Sequence, residues 1–248
     1  MRKPSDGAEF YDEEGVFERY FAPRTRASDS PVLTMEMPAF WDAAGDVTDL
    51  AILDLGCGDG QLGEELVGRG AARYVGIDAS ERMVTAAASR LGEEGRAAIV
   101  RADLATYQPR EQFDLVVSLR VLHYVADLTG VLHRAAAALH RGGRVVYSHE
   151  HPIVTSFEAR EPDGRRANWT VDNYFASGPR EVIFLGKRVV KHHRTVEEHL
   201  RAVADAGLSF SRLSECAPVR ERFEGDEAEY ERRLRIPLFL MIEASRSN

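Results

Sequence analysis

The chain has 248 residues, 44% hydrophobic and 29% charged, with a formal net charge of −8. That length and composition suit one large globular domain, or one domain carrying an insertion. The acidic surplus argues against a nucleic-acid backbone as partner, and no apolar run approaches the length of a membrane span.

The polar start, residues 1–10, lacks the apolar core of an export signal and reads as a disordered tail. Cys57 and Cys216 fit a reduced cytoplasm. Val16, Phe17, Tyr20 and Phe21 recur at helical spacing, predicting a short amphipathic helix over 13–21 that Pro23 ends. A second helix is expected over 34–44, with Met35, Phe40 and Trp41. From residue 50, strands and helices alternate. Strands are expected at 50–55, 73–77, 97–101, 113–118 and 144–148. Helices are expected at 61–69, 80–90 and 128–140, the second capped by Ser80 and the last closed by Gly142-Gly143. Such alternation implies a parallel sheet with right-handed crossovers. Beyond Ser148 the pattern stops. Residues 152–178 are polar and irregular, and a hairpin over 181–185 and 188–192 turns at Gly186-Lys187. Thr195 caps a helix that runs to Ala206, and strands at 209–215 and 236–244 close the chain.

Asp54-Leu55-Gly56-Cys57-Gly58-Asp59-Gly60 joins the first strand to the first helix of this pattern. Glycines at such a turn let backbone approach a ligand that a Cβ would block, and the following helix presents free N–H groups. A dinucleotide fingerprint starting at Gly56 needs glycine at position 61, which is Gln61. The spacing present, D-x-G-x-G-x-G, resembles motif I of the class I S-adenosylmethionine-dependent methyltransferases. Asp78 ends the next strand, where a carboxylate hydrogen-bonds ribose hydroxyls. Asp78-Ala79-Ser80-Glu81-Arg82-Met83 resembles the segment after motif I, with Met83 against adenine. Asp103 and Leu104 occupy the place that meets the adenine amino group. Residues 113–118, ending at Ser118, resemble the motif IV strand. Ser148-His149-Glu150-His151-Pro152-Ile153, Leu122-His123-Tyr124-Val125 and His193-Arg194-Thr195 resemble stretches of a bacterial small-molecule branch.

The resemblance implies S-adenosylmethionine as cofactor and a doubly wound, Rossmann-like α/β fold. Its sheet would have seven mostly parallel strands, the last antiparallel. Four segments are expected: an N-terminal lid (1–47), a cofactor-binding core (48–149), a substrate-side insertion (150–194) and a C-terminal closure of the core (195–248). In the family such a lid covers the cofactor, bringing Tyr20 and Arg24 to its methionine part. An aromatic helix face that simply packs on the domain explains the same pattern.

Methyl transfer from a sulfonium needs alignment first, and a base only where the acceptor must lose a proton. His123, His149 and His151 follow predicted strands on the ligand-bearing edge. His151 is the first candidate for base or orienting group, beside Glu150, and His123 the second. Arg120 and His149 are candidates for holding the acceptor, with Arg120 paired to Asp127 as the structural alternative. Trp169 and Tyr174 would add aromatic walls. No metal is expected, because His149-Glu150-His151 lacks the helical zinc spacing. The function implied is methylation of a small, aromatic or heteroaromatic molecule. With only Lys3, Lys187 and Lys191 as lysines, the arginine-rich composition points to a bacterial, secondary-metabolic setting. A non-methylating protein on the same scaffold, such as a cyclase, and a macromolecule modifier are the alternatives.

Overall fold

The computed structural model describes residues 7–21, 26–92, 95–156 and 169–247. Helices α1 (Gly7–Asp12) and α2 (Val16–Tyr20) come first, broken by Gly15 at φ 76°. The sequence gives no apolar repeat before residue 13, yet Phe10 is fully buried with Val16 and Val189, so part of the expected tail is a docked helix. A wide π turn over Val32–Glu36 runs directly into α3 (Met37–Ala44). Pro38 has no N–H to offer Thr34, whose carbonyl instead accepts the amide of Val219, at 3.0 Å.

The core then alternates as expected: β1 (Ala51–Leu55), α4 (Gln61–Gly68), β2 (Arg73–Asp78), α5 (Glu81–Leu91), β3 (Ala97–Arg101), β4 (Phe113–Leu119), α6 (Leu128–Ala138) and β5 (Leu139–Glu150). One boundary differs. Gly142-Gly143 does not close α6, which ends at Ala138; the glycines lie inside β5. There Leu139 faces Phe113 and Arg144 faces Leu115, so β5 bulges, with Gly142 at φ 76°. A short α7 (Pro152–Thr155) and the hairpin β6 (Gly178–Phe184) and β7 (Lys187–His193) follow. Helix α8 (Val196–Asp205) carries a complete capping box from Thr195 and Glu198. β8 (Leu208–Ser214), α9 (Glu227–Arg233) and β9 (Phe239–Arg246) end the chain. The sequence reading assigns no element where α9 lies.

The main sheet has seven strands in the order β3-β2-β1-β4-β5-β9-β8. The first five are parallel, and β9 runs antiparallel to both of its neighbours. Each face is covered: Leu53, Leu55 and Val145 meet α6 and α8, while Ile52, Tyr74 and Val117 meet α3, α4 and α5. Among the described residues, no helix is long and apolar enough to cross a membrane.

Besides polar contacts to α5, the N-terminal helices are attached through one small apolar cluster outside these two layers. Phe10→Ala removes a side chain whose loss typically costs about 3–5 kcal/mol. Because that cluster is peripheral, limited proteolysis should clip the N-terminal segment faster while the urea midpoint of the sheet holds. Leu53→Ala, in the main core, should lower the midpoint itself. Equal midpoint losses in both variants would show that the helices fold with the sheet as one unit.

Candidate active site

Four strand ends meet on one edge of the sheet. After β1 the chain turns through Gly56, Gly58 and Gly60, all at positive φ. The amides of Gly56 and Cys57 both donate to the carbonyl of Ile77, at 2.8 and 2.9 Å, stitching the turn to the end of β2. A Cβ on Gly56 would come within 2.4 Å of Val121, so glycine there is a packing requirement. Gly58 differs: a Cβ would meet no atom within 4 Å, leaving its outer face open. Asp78 accepts from the amides of Gly58 (3.0 Å) and Ser80 (2.9 Å), and burial outweighs these donors to raise its pKa. Each carboxylate oxygen keeps a second acceptor site. An open glycine face beside an acceptor pair fits an adenosyl group with its ribose hydroxyls. Cys57 is buried, which pushes its thiol pKa up and keeps it unreactive.

Asp54 sits beneath the turn, 2% exposed, with Oδ2 accepting the Tyr74 hydroxyl at 2.8 Å. Burial raises its pKa from 3.8 to about 7 against that hydrogen bond. Of the other cofactor candidates, Ser118 is a correction. Its hydroxyl donates to the Leu55 carbonyl at 2.7 Å, which ties β4 to β1. Met83 and Leu104 are buried at the starts of their segments, and Asp103 is exposed, accepting from the Ala105 amide. Ala79 is half-buried next to Asp78. Arg24 lies outside the described residues.

Helix α1 reaches this edge. Asp12 accepts from the Ser80 hydroxyl at 2.6 Å and from the Arg82 amide at 3.1 Å, an anion at the N-terminus of α5. The Tyr11 and Tyr124 hydroxyls are 3.2 Å apart, and Tyr20 packs edge-on to Tyr11.

After β4, Arg120 takes φ 58°, a left-handed conformation rare outside glycine. Its guanidinium pairs with Glu36, not with Asp127, which is taken as the N-cap of α6. Glu36 is fully buried in the π turn and also accepts from the Ser148 hydroxyl. Burial works against the Arg120 charge, but Glu36 and the hydrogen-bonded Tyr20 outweigh it and raise its pKa. A second pair lies beside the first: Lys191 with Glu150, the ammonium above the Phe184 ring. The sequence reading missed both pairs. One signal was available, since Glu36 is the only charged residue in an apolar helical run from 31 to 41.

The histidines sort differently from expectation. His151 is the N-cap of α7: Nδ1 accepts from the Ile153 amide and Nε2 meets Glu215 at 3.1 Å. Both nitrogens are engaged, and Glu215 rather than Glu150 fixes its tautomer, so His151 has no free lone pair for a base. His149 is fully buried and donates from Nδ1 to the Glu150 carbonyl. His123, also buried, packs on Tyr124 and has no partner at Nδ1. Tyr174 is a further correction. Its hydroxyl accepts from the Val196 amide and its carbonyl from His193, so it anchors the insertion to α8. Trp169 is half-buried. No group of three or more metal-ligating side chains is assembled among the described residues.

Residues 53–145 match a family described as a methyltransferase domain. An S-adenosylmethionine-dependent methyltransferase from Mesorhizobium loti is 34% identical, with a TM-score of 0.77, covering 89% of this chain and 100% of that one. A ubiquinone biosynthesis O-methyltransferase from a Bradyrhizobium species is 38% identical over 41% of this chain and 40% of its own length. Magnesium protoporphyrin IX methyltransferase from Synechocystis, solved with bound S-adenosylmethionine, shares the fold at 18% identity. Its TM-score is 0.58, over 97% of this chain and 95% of that one.

Asp54 generates a stability prediction. Its folded pKa, about 7, lies above its ordinary 3.8, so the folded state binds the extra proton between these values. The contribution of this group is therefore complete below pH 4 and is lost as pH rises toward 7. Asp54→Asn should change the urea midpoint little at pH 4.5 and raise it relative to the parent at pH 7.5. A parent-minus-variant difference that does not vary with pH would place the Asp54 pKa near its ordinary value.

Proposed function

This chain belongs to the S-adenosylmethionine-dependent methyltransferases, and we propose that its acceptor is a small, uncharged aromatic or heteroaromatic molecule held under α1 and α2. What carries this reading is the charge arrangement at the edge. Arg120 is neutralised by Glu36, and Lys191 by Glu150, while Tyr11, Tyr20 and Tyr124 supply aromatic surface. A carboxylate or phosphate on the acceptor would have to break a buried pair, leaving Glu36 or Glu150 uncompensated at a cost of about 3–5 kcal/mol. A neutral ring needs no such exchange. Arg120, expected among the groups that hold the acceptor, holds Glu36.

The cofactor supplies an activated methyl on a sulfonium. The chain's residues bind and align. The open face of Gly58 and the acceptors of Asp78 fix the adenosyl end, and Asp12 secures α1 over the start of α5. Alignment of this kind can account for roughly 7–11 kcal/mol of barrier. Where the acceptor atom carries a proton, His123 is its receiver. Burial, with Lys191 nearby, holds the His123 pKa well below its ordinary value. Its protonated form is therefore short-lived, and the proton must be passed on.

Two measurements test the reading. Incubating the chain with labelled S-adenosylmethionine and a panel of phenols and N-heteroaromatics should yield S-adenosylhomocysteine and methylated product, with neutral members ahead of their carboxylated analogues. Preference for the acids would overturn the neutral-acceptor reading, and product formation without S-adenosylhomocysteine would favour a cyclase. On the best acceptor, His123→Gln should lower kcat by about 10²–10⁴ with cofactor affinity intact. Asp78→Ala should instead weaken S-adenosylhomocysteine binding about ten- to a hundredfold, from lost charged hydrogen bonds of about 1.5–3 kcal/mol. A variant of Asp78 that binds normally would remove that residue from the site.

A further inference from the structure

Behind the active edge, between β5, α8 and the end of β7, five buried side-chain nitrogens lack a hydrogen-bond partner: His123 Nδ1, His149 Nε2, His192 Nδ1, Arg194 Nη1 and His199 Nε2. They are not scattered. The His123 and His149 rings are 5.4 Å apart, and those of His149 and His199 are 4.4 Å apart, both edge to face. His192 stands near the end of β7, which packs against the turn at residues 122–124. Arg194 donates through Nη2 to the carbonyls of Val125 and Ala126, and its charge is felt at all four histidines. Leaving a buried polar group unpaired costs about 1–3 kcal/mol each, so five together call for a shared partner.

The chemistry of the nitrogens says what that partner is. His149 gives its Nδ1 proton to the Glu150 carbonyl, so its neutral ring presents Nε2 as an acceptor. Arg194 Nη1 can only donate. An anion would satisfy the arginine and repel the lone pair, and a metal ion would do the reverse. Water does both. The cluster also has an outlet: His192 and Arg194 line a groove of about 440 Å³ between α6, α8 and the hairpin, together with Asp127 and Glu198.

We propose that His149, His199 and Arg194 line an internal chain of waters running from His123 to the groove, which carries away the proton released on methylation. The inference rests on His123 as the receiver in the reading above. The balance is simple. The acceptor's X–H bond and the sulfonium S–C bond break, the S–C pair stays on sulfur, and a C–X bond forms. The proton passes to His123, and a proton leaves its Nδ1 by the waters to solvent. The groups facing these rings are Lys191 of β7, Arg194 after it, Arg120 after β4 and Glu150 of β5. Burial keeps the imidazoles neutral, and three of these four groups are cations, which add to that effect. Tyr147, against His199 at 3.5 Å, closes the inner end.

The test needs no acceptor. Crystals of the full chain with S-adenosylhomocysteine, ordered well enough to show internal waters, should place density about 2.7–3.2 Å from His149 Nε2, His199 Nε2 and Arg194 Nη1. That density should be continuous with the groove. In solution, magnetisation should transfer from water to the ring protons of His149 and His199. His192→Phe, at the mouth, should slow this without unfolding the chain, and His199→Leu should abolish it at His149. A dry cluster, imidazoles paired directly with one another, or a bromide peak at Arg194 in soaked crystals would each overturn the proposal. A dry cluster would leave His123 as receiver untouched, whereas full turnover by His123→Gln would remove the receiver and leave the hydration measurement unaffected.

Discussion

The ligand-bearing edge depends on a backbone constraint: the turn after β1 is pinned to the end of β2. Two amides share the Ile77 carbonyl and a third is held by Asp78, so three successive N–H groups are fixed before any ligand arrives. Positive φ at residues 56, 58 and 60 makes that route available only to glycine at low cost. The glycines do different work, however. Gly56 admits Val121 from the segment after β4, while Gly58 is the one whose open face a ligand can approach. Asp78 thus has two duties, shaping the turn and offering acceptors, and the N-terminal helix is referred to the same point through Asp12 on Ser80.

A second constraint is the treatment of charge. Buried ions are costly unless paired and hydrogen-bonded. Glu36 meets that condition three ways, through Arg120, through Ser148 and by lying in a widened helical turn that presents it to both. The strained backbone at Arg120 is part of the same arrangement, since the Arg120 amide donates to the Ser148 hydroxyl at 3.0 Å. Segment 32–36, the end of β4 and the end of β5 are locked together by side chains from all three. The charges at this edge are already spent on one another.

Much of the fold was legible because its signals are local. A strand-turn-helix with alternate glycines, apolar runs of strand length and caps at Ser80 and Thr195 can be read from neighbours in the chain. Gly142 was misread for the same reason: a glycine after a helix looks like a stop, and only its register with β4 reveals a bulge inside β5. The site was harder. Asp54, Asp78 and His123 were expected from position at strand ends, and Gly58 from the alternate glycines. Ser118 and His151 also stand at strand ends, but their polar atoms are consumed by Leu55 and by Ile153 with Glu215. Whether a polar atom is free depends on partners far along the chain, and spacing does not encode that. Glu36 and Lys191 went unnoticed because each acquires meaning only from a partner 84 or 41 residues away.

The same interior sets how acid acts on the protein. Asp54 is held above its ordinary pKa, and His149 is held below its own, at about 4 instead of 6.5. Their linkages have opposite sign. Asp54 loses its stabilising contribution as pH rises from about 4 to 7, whereas His149 keeps its contribution above 6.5 and loses it as pH falls toward 4. Between these limits the two slopes oppose each other. His123 and His199, also buried and lowered, add to the histidine side, so they contribute to loss of stability on acidification. Neutral imidazoles are thus a condition of folding as well as of chemistry. A group that must stay uncharged for the fold to hold can accept a proton only briefly, which suits a residue that passes protons on and does not store them.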